Sequence, residues 1–155
     1  MRFSTTLIVL GVIFIIGAIL SGCKKQFSSF SSDRSAKLLI NEKIYPIELA
    51  RIAQEQEQGL SDRTAIGSDG MLFVFNSPGT PKFWMKDMLF DLDFIWIRKG
   101  EIVEIMPNVP RPQDKAVQLP IYKPAQQVDM MLEVNAGFAQ KENLKVGDKV
   151  TLSDQ

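Results

Sequence analysis

The sequence predicts a mainly β domain, a sandwich or a compact barrel with one or two short helices, and three observations carry that reading. Short apolar segments rich in Ile, Leu, Val, Phe and Met recur from Ala36 onward. Clusters of Gly, Pro, Asn and Asp separate them at intervals that suit strands and turns. Only AQEQEQGL and NAGFAQKENL have the composition of helices. The 155 residues suffice for one domain of ordinary size, and no internal repeat is present.

KLLINEKIYPIEL, from Lys37, reads as two short strands joined in a hairpin around Asn41 and Glu42. AQEQEQGL is a short helix ending near Gly59. GMLFVF is a buried strand closed by the turn NSPGTP. KFWMKDMLFDLDFIW, Lys82 to Trp96, holds both tryptophans, two lysines and three aspartates. It supplies one strand through Phe83 to Met88, and a second runs from Leu92 to Arg98. KGE then turns the chain into the strand EIVEIMPNV. The Pro-rich stretch from Val109 to Pro124 is long enough to imply mobility or a place at a site. VDMMLEV is a further strand, NAGFAQKENL a second short helix capped by Asn135, and VGDKVTL a turn followed by the last strand.

The first residues have a separate character. MRFSTT carries one Arg, the run Leu7 to Leu20 is apolar and uncharged, and Leu20-Ser-Gly-Cys23 follows. A charged start, a short apolar run and small residues before a cleavage point mark a secretory signal. The run is shorter than the roughly 20 residues of a membrane span. Leu-Ser-Gly-Cys resembles the bacterial lipobox, so residues 1–22 are expected to be a lipoprotein signal peptide and Cys23 an acylated first residue. Cys23 is the only cysteine of the chain, which leaves no internal disulfide to form. Residues 23–35 then form a flexible Ser-rich tether, and residues 36–155 a single globular β-domain. The expected location is the cell envelope, lipid-anchored to a bacterial membrane with the domain on the exported side.

Composition excludes several chemistries. The chain has no histidine, so a Ser/His/Asp triad, a Cys/His dyad and a His-built zinc site are all absent. After loss of residues 1–22, 17 basic face 18 acidic residues. That balance gives no field to hold nucleic acid, and no phosphate-binding glycine loop is present. Six methionines remain after processing. Thioethers are soft ligands for Cu(I), yet the Met85/Met88 and Met130/Met131 pairs do not share strand parity, so core filling is the better reading. No metal or cofactor is expected.

Five blocks in this order, EQEQGLSDR, GMLFVF, FWMKDMLFDLDFIWI, GEIVEI and LEVNAGFA, followed by VGDKV, resemble the family known as domain of unknown function 192. The resemblance covers nearly all of the domain and implies a jelly-roll-like β-sandwich, often exported, without an established activity. It carries family-typical polar positions onto Glu55, Arg63, Lys86, Asp93 and Glu133. The chain departs from the family pattern with Ser61, Asp87 and Asp91, where Met, Asn and Pro are usual.

Asp91 and Asp93 share strand parity about 7 Å apart, a spacing that suits an acid and base or a hard cation. Asp91 is expected to face water at a strand end, and Asp93 to be the buried, paired carboxylate. Lys86 shares parity with Trp84, so it either snorkels past the indole or enters a pocket. Trp84 and Trp96 read first as core, although an indole beside carboxylates also grips sugar rings. Arg63 or Lys86 close to Asp93 and Glu133 would form a desolvated ion network, structural clamp or binding site alike.

Two functional classes follow. The first is a non-catalytic envelope module that binds a small molecule, a glycan or another envelope protein through Arg63, Trp84, Lys86, Asp93 and Glu133. The second is a hydrolase of cell-wall or surface glycans with Asp93 and Glu133 as acid and base, which requires the two carboxyls about 5 to 10 Å apart across a cleft. A structural or chaperone-like envelope partner would instead present an exposed apolar patch.

Overall fold

The computed structural model describes residues 34–114 and 118–153. The signal-like segment, Cys23 and the tether up to residue 33 lie outside the described residues. Among the described residues no helix is long and apolar enough to cross a membrane.

The expected hairpin comprises β1 (Ser35–Ile40) and β2 (Lys43–Ala50), paired antiparallel. Asn41 takes the left-handed conformation at its turn, φ 54°, which Asn tolerates better than most residues. Helix α1 (Ala53–Gln58) then carries the chain across to β3 (Gly70–Gly79), parallel to β2. A parallel partner needs such a crossover because a tight turn reverses direction. Glu55 fixes the start of α1 by accepting the backbone N–H groups of Arg51 and Ile52 at 2.9 and 3.3 Å.

The remaining strands are β4 (Leu92–Arg98), β5 (Glu101–Val109), β6 (Val128–Asn135) and β7 (Val150–Ser153), with helix α2 (Phe138–Lys141) between the last two. All belong to one sheet in the order β5-β4-β6-β3-β2-β1-β7. The sheet curls into a half-barrel, so the mainly β expectation holds in its barrel-like form. Its two outer strands meet at one rim, where Ile102 donates to the Asp148 carbonyl and Val150 to that of Gly100, both at 2.9 Å. Gly100 has φ 71°, and a Cβ there would stand 2.9 Å from the Val150 oxygen. Only glycine fits that junction.

Alternating side chains build two cores on opposite faces of the sheet. Leu38, Ile47, Leu72, Ile95, Ile97, Leu132 and Val134 fill the concave side. Met71, Phe73, Phe94, Trp96 and Met131 face the other way, under Leu60, Ile66, Met85 and Met88 from the connections. Because both faces of β4 are covered, its first six residues are all buried, which explains an apolar run interrupted only by Asp93.

Three local expectations are corrected. Phe83 to Met88 is not a strand: only Phe83 pairs, exchanging two 2.8 Å backbone bonds with Tyr122, and the rest is loop. The loop is held by burial of Met85 and Met88, a packing need that mimics a strand in the sequence. NSPG does not end β3, which continues to Gly79 through a shift in register. Such irregularities accommodate proline, which has no N–H for the ladder. Asn135 is the last residue of β6, and Gly137 stands at the start of α2 instead. Helix α2 docks on β2 through Glu142, which accepts from Lys43 at 3.0 Å and Tyr45 at 2.9 Å. Those bonds hold the Glu142 carboxyl below its usual range, while burial, then the bond to Glu142, pushes the Tyr45 phenol up to about 12.

Candidate binding cleft

The strand register separates the two carboxylates expected to act together. Directly opposed residues share a face, and β4 and β6 pair Asp93 with Val134 but Phe94 with Glu133. Asp93 therefore lies on the concave side and Glu133 on the other. An acid and base working across one cleft from these two residues is not what the sheet provides. Asp93 is fully buried, and its oxygens accept the backbone N–H groups of Asn108 (2.8 Å), Gly137 (3.1 Å) and Ala139 (2.9 Å). It caps α2 from a distant strand and ties β5 to the same point. This buried carboxylate is satisfied by the backbone, with no charged partner among these contacts.

Glu133 is in a different situation. The register aligns Glu48, Met71, Glu133 and Phe94 across β2, β3, β6 and β4 on one face. The residue is only 5% exposed, yet among the described residues its carboxyl has no hydrogen-bond donor or ion pair, and its oxygens are not among the fully enclosed polar atoms. Burial pushes it up to about 8, against a weaker downward pull from the Arg63 guanidinium. At neutral pH it is thus mainly a neutral acid, able to donate one hydrogen bond. The expected network of Arg63 with Asp93 and Glu133 does not form. Arg63 instead grips both oxygens of Glu48, at 2.6 and 3.0 Å, and donates to the Ile66 carbonyl at 3.3 Å.

Above Glu133 opens a cleft of about 330 Å³. The end of α1 and the turn through Ser61 form one wall, Phe73 and Phe75 of β3 contribute to its lining, and Pro81 to Trp84 form the opposite wall. Trp84 is 57% exposed, so it is a rim residue and not core, whereas Trp96 is fully buried. Lys86 is exposed and absent from the lining. Its carbonyl accepts the Ser61 hydroxyl at 3.0 Å, and Asp62 N–H donates to the Asp87 carbonyl at 2.8 Å. These two bonds join the cleft walls. They also account for two departures from the family pattern: Ser61 adds a cross-loop bond, and Asp87 sits at φ 55°, a conformation that suits Asn and Asp alike. Asp91 is exposed as expected and accepts the Arg111 N–H at 2.9 Å.

The site therefore gathers Trp84 and Glu133, leaves Arg63 in a neighbouring polar groove with Glu48 and Asp62, and excludes Lys86 and Asp93. Phe73, Phe75 and Phe83 were missed as site residues. The signal for them was faint, because Phe73 and Phe75 lie in GMLFVF, which reads as a buried strand, and Phe83 opens the stretch expected to be the strand Phe83 to Met88.

The described residues thus form a small curled sheet that carries a cleft lined by aromatic side chains. Residues 36–152 match the family of domain of unknown function 192, described as uncharacterized ACR, and the chain belongs to that family. Among solved structures it is similar to a Sinorhizobium meliloti 1021 protein assigned as a candidate transcription regulator, 27% identical with a TM-score of 0.69. That alignment covers 81% of this chain and 98% of the other. A Novosphingobium aromaticivorans DSM 12444 protein of unknown function is 30% identical with a TM-score of 0.64, covering 76% of this chain and 83% of the other. No curated protein matches the chain.

Proposed function

We propose that the protein is a lipid-anchored, non-catalytic module of the bacterial cell envelope that binds a small ligand in the cleft over Glu133. One observation carries the binding reading: the carboxyl of Glu133, a residue only 5% exposed, has no partner from the described residues and lies in the lining of a cleft whose rim exposes Trp84. A ligand that pairs with this largely dehydrated carboxyl gains a hydrogen bond of the charge-assisted kind, up to about 1.5 to 3 kcal/mol. The hydrolase alternative loses support because Asp93 is engaged by three backbone groups on the opposite face. The regulator assignment of the Sinorhizobium protein is not carried over, since 17 basic against 18 acidic residues beyond position 22 give no electrostatic footprint for nucleic acid.

The anchor rests on the run Leu7 to Leu20 followed by Cys23. Mass spectrometry of the membrane fraction should find an acylated Cys23 as first residue, and an intact Met1 or unmodified Cys23 removes the anchor. For binding, a thermal-shift screen of metabolites and short glycans on the full chain in an uncharged detergent should give hits that Trp84→Ala and Glu133→Gln both weaken. Hits indifferent to both variants place the ligand elsewhere, and turnover of a hit restores the enzyme alternative.

A further inference from the structure

Four aromatic rings line the cleft beside Glu133: Phe73, Phe75, Phe83 and Trp84. Phe83 is braced edge-on, its centroid 5.1 Å from that of Phe73 and 6.3 Å from that of Phe75. Ring faces carry negative potential and attract cations, more strongly where water is excluded. A carboxylate attracts the same class of ligand by its charge. Arg63, the cation whose charge reaches Glu133, is held by both oxygens of Glu48, which leaves an ionised Glu133 free to take its positive partner from a ligand.

We infer that the cleft selects an organic cation, an ammonium group with apolar substituents, whose charge meets Glu133 and whose substituents contact Phe73, Phe83 and Trp84. This inference rests on the binding-module reading above. An anion would meet the Glu57 carboxylate and, once Glu133 ionises, a second one, against the single amine of Lys82, which is exposed. A neutral ring gains only one hydrogen bond from the acid and none of the charge attraction.

Binding has a pH signature. The charged groups around Glu133 are Glu57 from α1, Arg63 from the following turn, Lys82 from the opposite wall and Glu48 beyond Met71. Without ligand, burial holds the carboxyl protonated up to about 8. A bound cation favours the carboxylate, so below that value binding releases a proton and affinity rises with pH, by at most about tenfold per unit. Above it the affinity levels off.

The test compares choline with its neutral isostere 3,3-dimethylbutan-1-ol, by calorimetry on the full chain in a polyoxyethylene detergent from about pH 6 to 9. Choline should bind at least roughly tenfold more tightly, its affinity should climb to about pH 8, and its heat in phosphate and Tris should differ by the released proton. Glu133→Gln, isosteric with the protonated acid, should weaken choline binding and flatten the profile. Trp84→Phe should retain binding that Trp84→Ala loses. Equal binding of the isostere, or choline binding unaffected by pH or by Glu133→Gln, overturns the inference. Failure of choline and tetramethylammonium, with a neutral ligand bound in a Trp84-dependent way, overturns the cation while leaving the binding module intact. No ligand of any kind in the cleft removes both.

Discussion

Glu133 and Asp93 are both buried carboxylates on adjacent strands, and their surroundings give them opposite roles. Asp93 receives three backbone donors, whereas Glu133 receives none from the described residues. A carboxyl pushed up from 4.5 to about 8 binds its proton more tightly in the folded than in the unfolded chain. Its stabilising contribution is therefore complete below about pH 4.5 and is lost as pH rises through about 8. Across that window wild-type stability should fall by up to about 1.4 kcal/mol per pH unit from this group. Glu133→Gln should remove that slope and be the more stable protein at pH 8, which urea unfolding at several pH values measures. A slope unchanged in the variant would mean that Glu133 is ionised or solvated. None of this was visible in the sequence, where Asp93 reads as the buried, paired carboxylate by comparison with Asp91 and Glu133 stands beside it only as a candidate. The residue type is readable, but a pKa depends on which donors the fold brings within reach.

At the scale of elements, the helices and loops owe their positions to partners distant in sequence. Helix α2 has only four residues, and the N–H groups of Gly137 and Ala139 at its start bond to Asp93 on β4. Asp93→Ala should leave three N–H groups without their acceptor and destabilise the fold by about 3 kcal/mol, with Asp93→Asn milder because one acceptor oxygen remains. Denaturation in urea reads the cost, and choline binding should persist under native conditions, since Asp93 lies on the other face. The loop carrying Trp84 is similarly placed by others. Met85 and Met88 anchor it in the outer core, with Met88 donating to the Met85 carbonyl at 3.2 Å, and the Ser61 and Asp62 bonds draw it towards α1. Periodicity identified the strands whose two faces differ or whose ends carry Gly and Asn. It misread Phe83 to Met88 because two methionines buried through a turn produce the same apolar signal as a short strand.

For the whole molecule, curling of one sheet creates two cores and brings β5 to β7. That junction depends on Gly100, where both a positive φ and the nearby Val150 carbonyl exclude a side chain. Gly100→Val should destabilise the protein by about 2 kcal/mol or more. Hydrogen exchange should then show lost protection of Val150 and Ile102 before the strands at the centre of the sheet. Uniform loss across the sheet would mean that the rim is not a separate closing contact.

The sequence by itself determined the local decisions: the mainly β class, the β1–β2 hairpin, α1 ending before Gly59, the span of β4, the turn at Gly147, and the lack of any histidine-based chemistry. These depend on residue propensities and short periods, which act between neighbours along the chain. Tertiary structure alone decided the order of strands, the separation of Asp93 from Glu133 and the gathering of Phe73, Phe75, Phe83 and Trp84 around one carboxyl. Those outcomes depend on register between strands far apart in sequence, and a shift of one residue reverses the face of every side chain.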